Sequence, residues 1–239
     1  MNTSGHHVLV VGGSSGIGLS LAKRFLCEGN HVVVVGRTKE KLKNVLAECP
    51  GLEIYSADVT SEVDRKKLAE RYPDTTILIN SAGILNNDSV LQCSNQALVE
   101  EVSINMIAPM CLSLLFLPIL SRSPDSAIVF ISSNLAFAPK ASAAGYSASK
   151  AGLRNFAKSF RWQTEGTSVK VFEAIPSIVD TPMTEQFKKS KISVSSFTEQ
   201  FWSSFANDQY EILIGNAKLV SKLHRFFPCL LDYIMRRSE

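Results

Sequence analysis

Apolar runs of strand length alternate with stretches of helical period from one end of the chain to the other. The runs fall at 7–11, 31–35, 52–55, 76–80, 126–131, 169–174 and 210–214, and the spacing between them predicts helices over 17–29, 38–48, 61–71, 98–121, 144–163 and 197–206. Strands and helices in such alternation predict an α/β fold: a doubly wound, mostly parallel seven-stranded sheet with helices on both faces. Helix stops support the boundaries. Gly29-Asn30 ends the first helix, Pro50-Gly51 and Pro73 follow the second and third, and Gly166 closes the long helix over 144–163. Between Pro176 and Phe205 the chain turns polar, with Lys188-Lys189-Ser190-Lys191 and Ser195-Ser196, so 177–205 is expected to be a lid over a site and 215–239 a C-terminal tail.

Composition narrows the class. With 239 residues, 45% hydrophobic and 20% charged, the chain suits a single domain over 1–239 with a large core. Its net charge of +3 is mild and the Lys and Arg residues are scattered, which argues against nucleic acid as a partner. Five cysteines, odd in number and without a Cys-x-x-Cys pair, indicate neither a disulfide framework nor a metal site, and point to a reducing, cytoplasmic setting. The first core strand starts too early to leave room for a signal peptide. The longest apolar stretch, Met106 to Leu120, is broken by Pro109, Ser113 and Pro118 and falls short of a membrane span.

The most informative motif follows the first strand: Gly12-Gly13-Ser14-Ser15-Gly16-Ile17-Gly18. Glycines there let the backbone approach a pyrophosphate, and the helix starting near Ile17 directs its unpaired amides and positive dipole end at that anion, with Ser14 and Ser15 as extra donors. A tight turn without ligand is the competing account. In the first strand–turn–helix unit, the motif points to a dinucleotide in a Rossmann-type fold.

Nineteen residues beyond Gly18, at the end of the second strand, stands Gly36-Arg37-Thr38. A carboxylate at that place would bind two ribose hydroxyls; a guanidinium instead offers a bidentate contact to a 2′-phosphate, which favours NADP(H) over NAD(H). Asp58, followed by Val59 after the third strand, could accept a bond from an adenine amino group or cap the next helix. Asn80-Ser81-Ala82-Gly83 ends the fourth strand with small residues against which a cofactor could lie.

A second constellation lies 128 residues past Gly18, where Tyr146 and Lys150 share one helical face, with Ser133 thirteen residues before the tyrosine. A free tyrosine titrates near pH 10, roughly three units too high for a base at neutrality. An ammonium beside it favours the phenolate, so the pair could move a proton to or from a substrate oxygen held by Ser133.

On these residues the chain resembles the short-chain dehydrogenase/reductase family over nearly its whole length. The resemblance maps the glycine turn to Gly12, Gly16 and Gly18, the Asn-Asn-Ala-Gly strand end to Asn80 through Gly83, and a catalytic tetrad to Asn105, Ser133, Tyr146 and Lys150. It implies that Asn105 holds a water in a proton relay behind Lys150. It also implies that Pro176, Ile178 and Thr181, in a stretch similar to the family's Pro-Gly-x-Val-x-Thr, contact the nicotinamide. The spacing and short C-terminal half most resemble the DltE-like oxidoreductases. Val11, Ser81 and Ser177 replace the usual Thr, Asn and Gly. Val11 lacks the side-chain bond expected to tie the turn to the fourth strand, and Ser177 requires a backbone open to a residue with a Cβ.

The expected function is NADP(H)-dependent hydride transfer between nicotinamide and a ketone, aldehyde or secondary alcohol. The alternative is a catalytically weak nucleotide-sensing protein on the same fold. The segment from Lys222 to Arg237 mixes bulky apolar and basic residues, which fits either weak contact with an anionic membrane or a terminal helix over the cleft or at a subunit contact. Apolar surface on the helices over 98–121 and 144–163, with the family's habit of pairing through them, leads us to expect a homodimer or homotetramer.

Overall fold

A computed structural model of the chain describes residues 1–86, 93–188 and 190–237; Lys189 of the basic run falls outside the described residues. Among these, seven strands form one sheet: β1 (His7–Val11), β2 (His31–Gly36), β3 (Glu53–Ser56), β4 (Ile77–Asn80), β5 (Ser126–Ile131), β6 (Val169–Pro176) and β7 (Glu211–Ile214). All pairings are parallel, in the order β3-β2-β1-β4-β5-β6-β7. The chain therefore winds outward from β1 in one direction and then from β4 in the other. The crevice beyond the carboxyl ends of β1 and β4 is the switch point at which open α/β sheets bind ligands.

Alternation along β1 shows how one strand serves two cores. Val8 and Val10 point to one face, where α1 (Gly16–Cys27), α2 (Lys39–Glu48) and α7 (Val194–Ala206) contribute Leu21, Phe25, Leu42, Phe201 and Phe205. Leu9 and Val11 point to the other, against α3 (Glu62–Arg71), α5 (Ala108–Leu120) and α6 (Ala144–Gln163), which contribute Leu68, Leu112, Phe116 and Leu153.

Four sequence expectations change. The helix expected over 98–121 begins earlier, as α4 (Asn95–Val102), and passes through a π turn (Ser103–Ile107) into α5. The continuous run Asn95–Leu120 spans 26 residues and is apolar enough to cross a membrane by length and composition. One face of it nevertheless packs on protein, since Ala108, Leu112, Phe116 and Leu120 belong to the second core, while Leu98, Val99, Ile107 and Leu114 are exposed. The lid expected over 177–205 ends sooner, because α7 starts at Val194 and buries Phe197, Phe201 and Phe205 completely. The 177–193 excursion is closed at its neck by Asp180 N–H to the Ile192 carbonyl at 2.9 Å and Ile192 N–H to the Ile178 carbonyl at 3.0 Å. Finally, the tail is helical: α8 (Ala217–Phe226) and α9 (Pro228–Arg237) form a hairpin. Pro228 starts α9, where its missing N–H costs no bond.

Candidate active site

The glycine turn closes over the switch point. A Cβ on Gly12, whose φ is +82°, would overlap the Ala82 backbone, and one on Gly18 would strike the Gly12 carbonyl oxygen. These contacts let β1, α1 and the end of β4 approach more closely than side chains allow. The tie to β4 is made by the main chain, since Ser81 N–H donates to the Val11 carbonyl at 2.8 Å; Val11 itself is core. Ser15 precedes α1 without a side-chain capping bond, and the first turn holds no acidic residue. The amides of that turn are left to whatever the cavity holds.

A cavity of about 480 Å³ runs from this turn along the carboxyl ends of the strands to Tyr146. From the first loop, Gly12, Ser14, Ser15, Gly16 and Ile17 line it. Arg37, Thr38, Asp58 and Val59 line it beyond β2 and β3, and Ala82 and Gly83 beyond β4. Ser133 follows β5, Tyr146 and Lys150 come from α6, and Pro176, Ile178 and Thr181 from the end of β6 onward. Three expected site residues do not line it. Gly18 acts by closeness to Gly12. Asn80 is buried in β4, its side-chain amide without a hydrogen-bond partner among the described residues. Asn105 stands behind the wall.

Arg37 is half-exposed at the end of the cavity far from Tyr146 and pairs with Glu100 at 3.3 Å. Lys41, in the first turn of α2, also lines the cavity there; nothing in its sequence context marks it apart from the other lysines of that helix. Asp58 does not cap α3. Ser61 does, accepting from Asp64 N–H at 3.3 Å. Asp58 Oδ1 instead accepts from Thr60 N–H at 2.9 Å and from the Thr60 hydroxyl at 2.7 Å. Partial burial pushes its carboxyl upward, but the Thr60 bonds, Arg37 and Arg65 outweigh this and hold it below the usual range.

At the other end, Lys150 Nζ donates to the Ile131 carbonyl at 2.8 Å and lies 5.6 Å from the centre of the Tyr146 ring. Burial brings the Lys150 ammonium down to about 8, with Glu173 opposing. Desolvation pushes the Tyr146 hydroxyl up to about 12; a hydrogen bond with Ser133 works downward and the charge of Glu101 upward. The Ser133 hydroxyl also accepts from Leu135 N–H at 3.2 Å, which fixes it at the start of a short 3₁₀ turn. Asn105 sits in the π turn, a feature common at functional sites and invisible to hydrophobic patterning. Its amide clamps Ile84, accepting from Ile84 N–H and donating to its carbonyl, both at 2.9 Å.

Ser177 costs no strain, because Asp208 is the one non-glycine residue with positive φ among those described. Its hydroxyl occupies the space left by Gly215. The cavity is also lined by Lys140, whose ammonium lies 5.1 Å from the Phe187 ring centre, and by Met235 of α9. Nothing in the sequence singles out Met235, whose place depends on the tail forming two helices rather than one.

The short chain dehydrogenase family model matches residues 6–192. The chain belongs to this short-chain dehydrogenase/reductase family. It is DltE-like: over 224 residues it is 34% identical to the uncharacterized oxidoreductase DltE of Bacillus subtilis strain 168, covering 89% of each chain. Among solved structures, a short chain dehydrogenase from Burkholderia cenocepacia in complex with NADP is 25% identical, with a TM-score of 0.90 over 98% of this chain and 99% of that one. A family member from Burkholderia phymatum in complex with NAD shares the fold, with a TM-score of 0.86, 15% identity and coverage of 100% of this chain and 98% of that one.

Proposed function

We infer that this oxidoreductase is NADP(H)-dependent and interconverts a ketone or aldehyde with the matching secondary alcohol. The observation that carries the reading is a single cavity joining an uncapped helix start behind close-packed glycines to Tyr146 and Lys150. The turn fits a dinucleotide: Ser14, Ser15 and the first amides of α1 would hold its pyrophosphate, and Arg37 with Lys41 a 2′-phosphate. Asp58 and Val59 would flank the adenine, and Pro176, Ile178 and Thr181 the nicotinamide. When bound, NADPH supplies a hydride.

Ser133 would hold the substrate oxygen and Tyr146 give it a proton, or take one in the reverse direction. Lys150, charged and desolvated beside the phenol, eases the loss of that proton. Asn105 would order the relay behind Lys150. A spectrophotometric screen at 340 nm, with NADPH and NADH against carbonyls of increasing bulk, tests the reading. NADPH-dependent turnover of at least one carbonyl is the expected result. Tight NADPH binding with no turnover across the panel would favour the nucleotide-sensing alternative.

Two partner surfaces complete this reading, in a cytoplasmic protein with its cysteines free. Leu98, Val99, Ile107, Leu114 and Trp162 leave an exposed apolar face on α4–α6, which suits a second copy of the chain in a homodimer or homotetramer. The hairpin α8–α9 exposes Leu219, Phe226, Phe227, Leu230, Tyr233 and Ile234. Around them stand Lys218, Lys222, Arg225, Arg236 and Arg237 against the one acid Asp232, a combination suited to weak contact with an anionic bilayer.

A further inference from the structure

Helix α4 buries one side chain completely out of reach of solvent, and it is a carboxylate: Glu101 is 2% exposed. A charge in such a place needs work to do or partners to hold it. Part of the answer is the loop beyond β4. Glu101 Oε1 accepts from Asn86 N–H at 2.8 Å, while Asn105, one helical turn later, clamps Ile84 from both sides. The two residues latch the wall of the cavity to one helical face.

The second oxygen has a different neighbour. Glu101 Oε2 fills the space in which a Cβ on Gly145 would lie. Gly145 is not among the positive-φ glycines, so its lack of a side chain serves room, for the carboxylate first and the Leu98 side chain beside it, rather than backbone freedom. This places a negative charge at the start of α6, where Ala143 offers no side-chain cap and the first turn has no acid of its own. That start carries positive potential from unpaired amides, and Tyr146 stands within it. Unopposed, the potential would favour the tyrosinate. Among the described residues, the groups facing Tyr146 include Lys150 on its own helix, Ser133 from the loop after β5, and Glu101 from α4. Glu173 of β6 acts on Lys150 and is paired with Arg154 at 2.8 Å.

We propose that Glu101 is a positioning residue of the active site, its carboxylate lodged against Gly145 so as to latch Asn86 beyond β4 and keep the Tyr146 phenol in its protonated, proton-donating form. The role of that proton rests on the oxidoreductase reading above; the electrostatic effect does not. Glu101 thereby biases the site toward reduction, in which the phenol gives up a proton, and against oxidation, in which the phenolate must accept one. It agrees in sign with the upward push of Glu101 on the Tyr146 hydroxyl.

The test is Glu101→Gln, which keeps an acceptor for Asn86 N–H and removes the charge. With tyrosine labelled at ¹³Cζ, the Tyr146 resonance is assigned by Tyr146→Phe and followed to pH 11 in folded protein. A downward move of about half a unit would give about threefold more Tyr146 tyrosinate at pH 11 in the variant than in the wild type. If a carbonyl substrate is in hand, the alkaline limb of its pH–rate profile for reduction moves to lower pH by the same amount. Gly145→Ala, which drives the carboxylate away from the helix start, moves Tyr146 in the same direction and serves if Glu101→Gln does not fold. Unchanged Tyr146 ionisation in a folded variant overturns the proposal and leaves Glu101 as a loop latch alone. An ionisation shift in a protein that turns over no carbonyl upholds the electrostatic role and overturns the reductase reading instead.

Discussion

The ammonium of Lys150 faces the Tyr146 ring, 5.6 Å from its centre, and is held there by a 2.8 Å bond to the Ile131 carbonyl. The two groups are perturbed in opposite senses. Burial lowers Lys150 to about 8 and raises Tyr146 to about 12, so at neutral pH the pair is an ammonium and a phenol, each desolvated next to the other. A phenol in that state is an acid with a charged neighbour waiting to stabilise its conjugate base. That is the arrangement a proton donor to a carbonyl oxygen requires.

Charging Lys150 costs the folded protein stability. Its pKa falls from 10.5 in the free side chain to about 8 on folding, so between those values the unfolded chain binds more protons than the native one. Stability contributed by this group therefore rises with pH from about 8 to 10.5 and is lowest below that window. Lys150→Met is expected to be more stable than the wild type in urea unfolding at pH 7, by on the order of 2 kcal/mol, while losing catalysis. The difference should shrink as pH approaches 10.5; a variant less stable at pH 7 would contradict this.

In the proposed reading Arg37 selects the cofactor. Its ion pair with Glu100 is half-exposed and worth little, so the guanidinium is available to a phosphate. Arg37→Ala should weaken NADPH binding by about tenfold or more while leaving NADH within about twofold, as read by calorimetry. Lys41→Ala should act in the same sense but less. Equal losses for both cofactors would remove Arg37 from the 2′-phosphate.

Gly12 tolerates no side chain. Gly12→Ala combines a φ of +82° with overlap onto the Ala82 backbone, and is expected to lower stability by about 1–3 kcal/mol and abolish NADPH binding. Thermal melts with and without NADPH separate the two effects: the variant should melt lower and gain nothing from cofactor. A wild-type melting temperature would mean the turn adopts another path.

The α8–α9 hairpin is expected to bind phosphatidylglycerol vesicles weakly and in a salt-dependent manner, with Phe226, Phe227 and Leu230 changed to Ser abolishing co-sedimentation. Retention of binding in that triple variant, or failure of the wild type to bind, would sink the membrane reading. If the variant instead dissociates an oligomer in light scattering, the hairpin is a subunit contact.

Much of the candidate site's lining was legible in the sequence because the residues cluster where patterning is strongest. Gly12, Ser14 to Ile17, Arg37, Tyr146 and Lys150 stand at strand ends or on a helix whose period is plain, and the fold brings them to one cavity, with Gly18 packed against Gly12 behind it. What escaped did so for physical reasons. The π turn around Asn105 is one extra residue in a helix, with no compositional mark. Asn80 reads like a cofactor contact but is a buried strand residue. The helix expected over 197–206 starts at Val194, and its place in the core rather than in a lid is masked by the polar residues between Phe197, Phe201 and Phe205, an aromatic stripe that lies wholly inside. Met235 depends on Pro228 starting a helix rather than ending one. Glu101 is visible only in three dimensions, through the space left by Gly145.

The central claim is that Tyr146 moves the proton in NADPH-dependent carbonyl reduction, and one comparison addresses it most directly. The rate of NADPH consumption at 340 nm is measured for the wild type and Tyr146→Phe on the best carbonyl from the screen, with NADPH affinity determined alongside. The account predicts a loss of at least about a hundredfold in kcat with NADPH affinity unchanged within about twofold. Equal turnover by the two proteins would contradict it.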